Sequence, residues 1–238
     1  MSDLNNVNLE EVKYKLYDKL KLGNWEKLRT FIFSNAFDEI LEQLYKEAKD
    51  NERFTPPLKN VFRAFEQCNY DNLKCVIIGQ DPYPYPLVAD GIAFSASNST
   101  FLPPSIKHIF KEIERTIYPN KGYSWDPNLA RWSNQGILLI NSALTTSVGK
   151  VGKHYDLWQS FIAFLIDILN TFKPGLIYVF MGKVAKSWEE QVDEGNHKLY
   201  TSHPASAAHT LNGNWDCDDV FNKISDLMHN YYKYKMIW

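Results

Sequence analysis

Apolar positions along this chain fall into two alternating patterns. Between residues 35 and 49, Phe37, Ile40, Leu41, Leu44, Tyr45 and Ala48 follow the three-and-four spacing of a helix with one buried face, and Phe54-Thr55-Pro56-Pro57 ends the unit. Beyond it, short apolar runs at 74–78, 136–140, 176–181 and 199–202 predict strands, and three of them are flanked by longer stretches of helical period. The first of those stretches starts at Ser105, a plausible N-cap after Pro103-Pro104, and carries Ile106, Ile109, Phe110, Ile113 and Ile117 on one face. Further helices are predicted over 156–172, 183–192 and 216–232. Strands alternating with helices predict an α/β fold with a parallel sheet of four strands, covered on both faces and built from right-handed crossovers.

At 238 residues and 45% hydrophobic composition the chain can bury one substantial core, so 1–238 reads as one domain. Residues 1–30 are polar, with a weakly amphipathic segment over 9–20, and are expected to form an N-terminal extension over the surface. No run of about 18 apolar residues suggests a membrane span, and the start lacks a secretory pattern, so a cytoplasmic protein is expected, or a nuclear or host-cell one if the source is viral. Cys68, Cys75 and Cys217 have neither a disulfide nor a zinc spacing and read as buried, inert thiols. A net charge of −2 argues against a broad basic surface for nucleic acid but leaves room for a small phosphate site. The 14 Phe, 14 Tyr and 7 Trp are more than ordinary and are expected mostly in the core, although a flat base would also stack on such rings.

Chemistry enters at the strand ends. The run Val76-Ile77-Ile78-Gly79 stops at Gln80-Asp81, the run over 136–140 stops at Asn141, and the last strand stops at His203. Each taken singly is equally an ordinary turn or cap. In a parallel sheet, however, all three ends lie on one edge, where open α/β sheets bind their ligands. The long segment 82–104 after the first strand is too apolar and aromatic for a disordered loop and reads as functional.

Several chemistries are missing. There is no G-x-S-x-G nucleophile elbow, no G-x-G-x-x-G or P-loop after the first strand, and no His, Asp or Glu set with metal-ligand spacing. What remains is a metal-free site with a carboxylate, an imidazole, and an Asn that donates and accepts at once, suited to a planar amide-like ligand such as a pyrimidine.

Five ordered motifs then carry a resemblance. Gly79-Gln80-Asp81-Pro82-Tyr83, Gly91-Ile92-Ala93-Phe94-Ser95, Pro103-Pro104-Ser105, Gly136-Ile137-Leu138-Leu139-Ile140-Asn141 and His203-Pro204 resemble the signatures of family 1 uracil-DNA glycosylases, from about Pro56 to the end. The resemblance implies a three-layer α/β/α fold and a monomeric base-flipping enzyme acting on uracil in single- or double-stranded DNA, without cofactor or metal. It implies that Asp81 stabilises the sugar cation and orients water, while His203 donates to uracil O2. By the same resemblance Asn141 reads N3–H and O4, Phe94 stacks on the base, Tyr83 excludes a C5 methyl and Gln80 adds contacts. Pro103, Pro104, Ser105, Ser206 and Ala207 are implied at the DNA.

The chain departs from the family in two places. Pro84 stands where the family usually has His, and the closing motif HPSPLS is replaced by His203-Pro204-Ala205-Ser206-Ala207-Ala208, which puts Ala207 at the wedging leucine on ungapped alignment. With one residue deleted, His209 or Leu211 takes that place instead. Poxvirus members share a Tyr-Pro and an HPA-type sequence, and there the protein also serves a replication complex. A replication-accessory protein with weak or no activity is therefore the competing reading, with an inhibitor or replication protein as a further partner. The complete pocket set favours the enzyme.

Overall fold

The computed structural model describes residues 8–210 and 213–238. Helix α1 (Leu9–Leu22) starts at Asn8, whose side-chain oxygen accepts from the amides of Glu10 and Glu11 at 3.1 and 3.4 Å. It is followed by α2 (Arg29–Ile32), α3 (Asn35–Lys49), strand β1 (Phe54–Thr55), α4 (Arg63–Gln67), β2 (Cys75–Gly79), α5 (Pro104–Thr116), α6 (Ala130–Ser133) and β3 (Ile137–Asn141). The remainder is β4 (Thr146–Ser147), α7 (Tyr155–Phe172), β5 (Ile177–Met181), α8 (Lys183–Lys186), β6 (His197–Thr201) and α9 (Val220–Tyr232).

The central sheet has the order β3-β2-β5-β6 and every pairing in it is parallel. Helices cover it, and the fold is the expected α/β one. Strands β2, β3 and β5 are buried at every position, which is why they read as unbroken apolar runs, whereas the edge strand β6 is only half-buried throughout. Register places Gly79 beside Asn141 and Met181 beside Thr201, so the carboxyl ends of the strands come out level on one edge. The longest cover is α7, which buries Trp158, Phe161, Ile162, Leu165, Ile166, Ile168 and Leu169. At roughly 1.5–3 kcal/mol per large apolar side chain removed from water, that face alone is a major part of the driving force.

Several expectations change. The segment read as a polar extension over 1–30 is integral from α1 onward: Leu20, Trp25 and Leu28 are fully buried, and the Trp25 indole N–H donates to Cys68 O at 2.7 Å. A few large residues at helical spacing supply the buried face, and the surrounding lysines and glutamates disguise it. Residues 1–7 of that segment, and Leu211, lie outside the described residues. The helix expected over 183–192 breaks into α8 and a 3₁₀ turn at Glu189–Gln191, and the last helix starts at Val220 rather than 216. Ser105 is not the cap of α5. Pro103 holds that position without a side-chain cap and Pro104 opens the helix, where its fixed φ fits and its missing N–H costs nothing. The two-residue antiparallel pair β1–β4, joining Phe54 to Ser147 and Thr55 to Thr146, is too short to leave a pattern in the sequence.

Candidate active site

Strand β2 ends at Gly79 because nothing larger fits. A Cβ there would stand 2.4 Å from Asn141 Oδ1 and 3.0 Å from Phe94 Cζ. This glycine therefore lets the side chains of Asn141, at the end of β3 and buried, and Phe94 close over the strand end.

Phe94 has a positive φ of 64°, which an L-residue adopts at a cost unless its surroundings hold it. They do. The Tyr83 hydroxyl donates to Phe94 O at 3.0 Å, and the Ala93 amide donates to Leu139 O on β3 at 3.1 Å. Asp90, only 1% exposed, accepts from the Ile92 amide (3.1 Å), the Ser95 hydroxyl (2.7 Å) and the Ser97 amide (3.0 Å), and pairs with Arg63 at 2.7 Å. One buried, compensated carboxylate thus fixes the loop that presents Phe94. Tyr83 is buried enough that its phenol is pushed well above the ordinary range.

His203 leaves the end of β6 and packs on Gly182, where a Cβ would lie 3.0 Å from the His203 Cβ. Its Nδ1 accepts from the Ala205 amide at 3.2 Å, so in the neutral ring the proton resides on Nε2. Burial lowers its pKa, which keeps the ring neutral. The ring lies 5.8 Å from that of Phe94, centroid to centroid, at 41°.

Asp81 accepts from the Gly152 amide at 2.7 Å. Burial raises its pKa, and the Gly152 amide with the hydroxyls of Thr146 and Tyr155 works in the opposite direction. Tyr155 is pushed up in turn by burial and by the Asp81 charge. Behind this wall, His154 lies between Thr145 Oγ1 (2.8 Å from Nδ1) and Glu47 Oε2 (2.9 Å from Nε2), with Ser147 Oγ donating to Glu47 at 3.1 Å and the Trp158 indole donating to Thr145 at 2.7 Å.

These groups surround one cavity of about 330 Å³ lined by Gln80, Asp81, Tyr83, Phe94, Asn141 and His203, with Pro104 and Ser105 at the start of α5. That is the small end of ordinary ligand sites, sized for a single ring rather than an extended ligand. Pro103 is buried behind it as the cap of α5. Ser206 lies outside the lining and donates to Ser202 Oγ at 3.1 Å.

Ala207, expected at the DNA in the place of the family's wedging leucine, is turned inward in this structure. Residues Pro204–His209 form a 3₁₀ helix, in which positions three apart eclipse, so Pro204 and Ala207 both face inward and Ala207 is 0% exposed. Ala208 and His209 are the exposed residues of that turn. The pattern reading also missed Gly152, Asp90 and the Glu47–His154 pair. Gly152 works through its backbone amide, which has no residue signature, and the others lie on elements distant in sequence. Among the described residues no group of three His, Cys, Asp or Glu side chains is placed to hold a metal ion, and no helix is long and apolar enough to cross a membrane.

Comparison with known proteins agrees with this geometry. The profile of the Uracil DNA glycosylase superfamily matches residues 65–225. Uracil-DNA glycosylase of Acinetobacter baumannii (strain SDF) is 30% identical over 226 residues, covering 93% of this chain and 94% of that protein. That of Amoebophilus asiaticus is 35% identical, covering 78% and 84%. Among solved structures, mimivirus uracil-DNA glycosylase superposes with a TM-score of 0.78 at 25% identity, over 98% of this chain and 89% of that one. The enzyme from Nitratifractor salsuginis, at 19% identity and a TM-score of 0.62, shares the fold over 94% of this chain and 98% of its own. With the motif order, the parallel sheet and relatives matched along nearly their whole length, the chain belongs to the uracil-DNA glycosylase superfamily.

Proposed function

We propose that the cavity takes a deoxyuridine extruded from DNA and that Asp81 and His203 divide the work of breaking its N-glycosidic bond. The observation that carries this reading is the convergence of Asp81, Asn141, Phe94 and His203 on one small cavity at the strand ends. As the bond stretches, positive charge grows on the sugar and negative charge on the base. Asp81 supplies a fixed anion for the first and orients the attacking water. His203 Nε2–H donates to uracil O2 for the second, its tautomer set by the Ala205 amide. Groups fixed where charge develops need no reorganisation during the step.

Base choice follows from donors and shape. Asn141 accepts from uracil N3–H and donates to O4, a pairing that cytosine reverses. Phe94 stacks on the ring, and Tyr83, tethered to Phe94 O, fills the space where thymine has its methyl. The first turn of α5 at Ser105 offers amides and a hydroxyl to a DNA phosphate. A structural accessory protein has no physical need of this whole set.

A uracil-containing oligonucleotide incubated with the protein in EDTA, followed by alkaline cleavage of abasic sites, tests the activity. Strand scission at the uracil position is expected. Intact strands at high enzyme concentration overturn the reading.

A further inference from the structure

Most phenylalanines and tryptophans of this chain are buried, but Tyr85 at the cavity and its neighbour Phe101 are turned outward. Tyr85 lines the cavity yet is 52% exposed, and Phe101, 50% exposed, meets it edge to face with ring centroids 6.3 Å apart at 77°. Val151, 62% exposed, also lines the cavity. An edge-to-face pair leaves a flat ring face open to solvent, and no core packing accounts for it.

The backbone that carries the ring is also held. Tyr85 stands between Pro84 and Pro86, which restrict the backbone on both sides. Pro84 O accepts from the Gly149 amide at 2.8 Å, tying this turn to the segment that carries Gly152 and through it Asp81. A solvent-facing aromatic on a restrained backbone beside a base-sized cavity has less conformational freedom to lose when something stacks on it.

Resting on the reading of the cavity as a uracil site, we propose that Tyr85, buttressed by Phe101, is a stacking platform for the nucleobase adjacent to the extruded uridine. Three features favour this occupant. The platform is continuous with the cavity, the net charge of −2 leaves little general attraction for phosphates, and buried Ala207 provides no side chain to fill a vacated stack. Stacking on an aromatic is tolerant of sequence, since every base has a flat face. It also discriminates strandedness: the neighbour of an extruded uridine in a duplex is held by its own pairing and stacking, whereas in a single strand it is free to turn onto Tyr85.

The test uses single-stranded oligonucleotides containing 2′-fluoro-2′-deoxyuridine, which resists cleavage, flanked by 2-aminopurine or by an abasic spacer on each side in turn. Wild-type protein should quench 2-aminopurine on one side and bind about five-fold or more weakly when that base is replaced by the spacer. Tyr85→Ala should lose the quench, bind about as weakly as the wild type does to the spacer, and be indifferent to the replacement. Phe101→Ala should show part of that loss, and Tyr85→Trp should restore the base dependence. A Tyr85→Ala protein that keeps the wild-type dependence on the neighbouring base overturns the proposal. So does concentration-dependent self-association of the wild type that Tyr85→Ala abolishes, which would assign the exposed pair to a second copy of the chain. Cleavage of ordinary uracil oligonucleotides, measured alongside, separates the outcomes: active protein without base dependence sinks the platform alone, and inactive protein sinks the glycosylase reading while the quench still decides the platform.

Discussion

The amide of Gly152 donates to Asp81 Oδ2 at 2.7 Å across 71 residues of sequence. Asp81 comes from the end of β2 and Gly152 from the turn before α7, so the carboxylate is aimed by a part of the chain that the strand pattern does not touch. The same turn is backed by His154 and Glu47, which makes the Asp81 carboxylate the front of a continuous polar wall.

Asp81→Asn should lower turnover by roughly 10²-fold or more, since on the proposed mechanism it removes the anion facing the sugar cation while keeping an acceptor for Gly152. Stability should respond in the opposite sense. The folded pKa of Asp81 is raised, so any stability from this group is fully present below the ordinary aspartate pKa and is lost as pH rises through the folded value. At pH 7 the asparagine variant should melt at the same temperature as the wild type or higher, with the difference closing in acid. Single-turnover kinetics and thermal melts check both; turnover within a few-fold of wild type removes Asp81 from the chemistry.

On the proposed roles, with Asp81 ionised and His203 neutral, the pH–rate profile should fall in acid. Burial lowers the His203 pKa below the ordinary histidine value of 6.5, which puts its protonation on the acid side, and burial raises the Asp81 pKa above the ordinary aspartate value, which moves the carboxylate's limb to higher pH than a free aspartate would give. Tyr155→Phe removes a hydroxyl that holds the Asp81 pKa down and should move the acid limb to higher pH. An unmoved limb would separate Tyr155 from Asp81.

Specificity should break where donors and shape are changed. Tyr83→Ala is expected to permit some thymine excision, and Asn141→Asp some cytosine excision, by opening space and by exchanging an amide for an acid. Mass spectrometry of released bases reads both. Two active variants that remain strictly uracil-specific would contradict the orientation assigned to the base.

Glu47→Ala should cost about 3–5 kcal/mol in urea unfolding, because it strands His154, Ser147 and Gln43 around a buried site. Burial would raise the Glu47 pKa, but the hydrogen bonds from Gln43, His154 and Ser147 outweigh it and hold the carboxyl below its usual range. Its contribution is therefore present above the ordinary carboxylate pKa and lost as pH falls through the lowered folded value. Glu47→Gln should cost less, and a neutral effect of Glu47→Ala would show the pair to be dispensable.

Ala207→Leu should destabilise the protein by about 1–3 kcal/mol through overpacking, without improving activity on duplex substrate, since position 207 faces the interior. A faster duplex rate with unchanged stability would show that this turn opens when DNA binds.

The sequence by itself determined the architecture and the meeting of three strand ends. Unbroken apolar runs specify strands buried on both faces, alternation with helices specifies parallel order, and parallel order brings Asp81, Asn141 and His203 to one edge whatever the details. Local patterns sufficed there because each residue's position depends only on its own strand. What depended on packing between distant segments was decided by tertiary structure alone. The inward turn of Ala207 follows from a 3₁₀ rather than an extended course after His203, a choice that the motif letters do not contain. The grip of Gly152 on Asp81 is made by a backbone amide, a group every residue but proline carries and no pattern can mark. The burial of Leu20 and Trp25 in a segment of polar composition depends on a surface offered by α4 and the turn at Cys68, which exists only once the chain has folded.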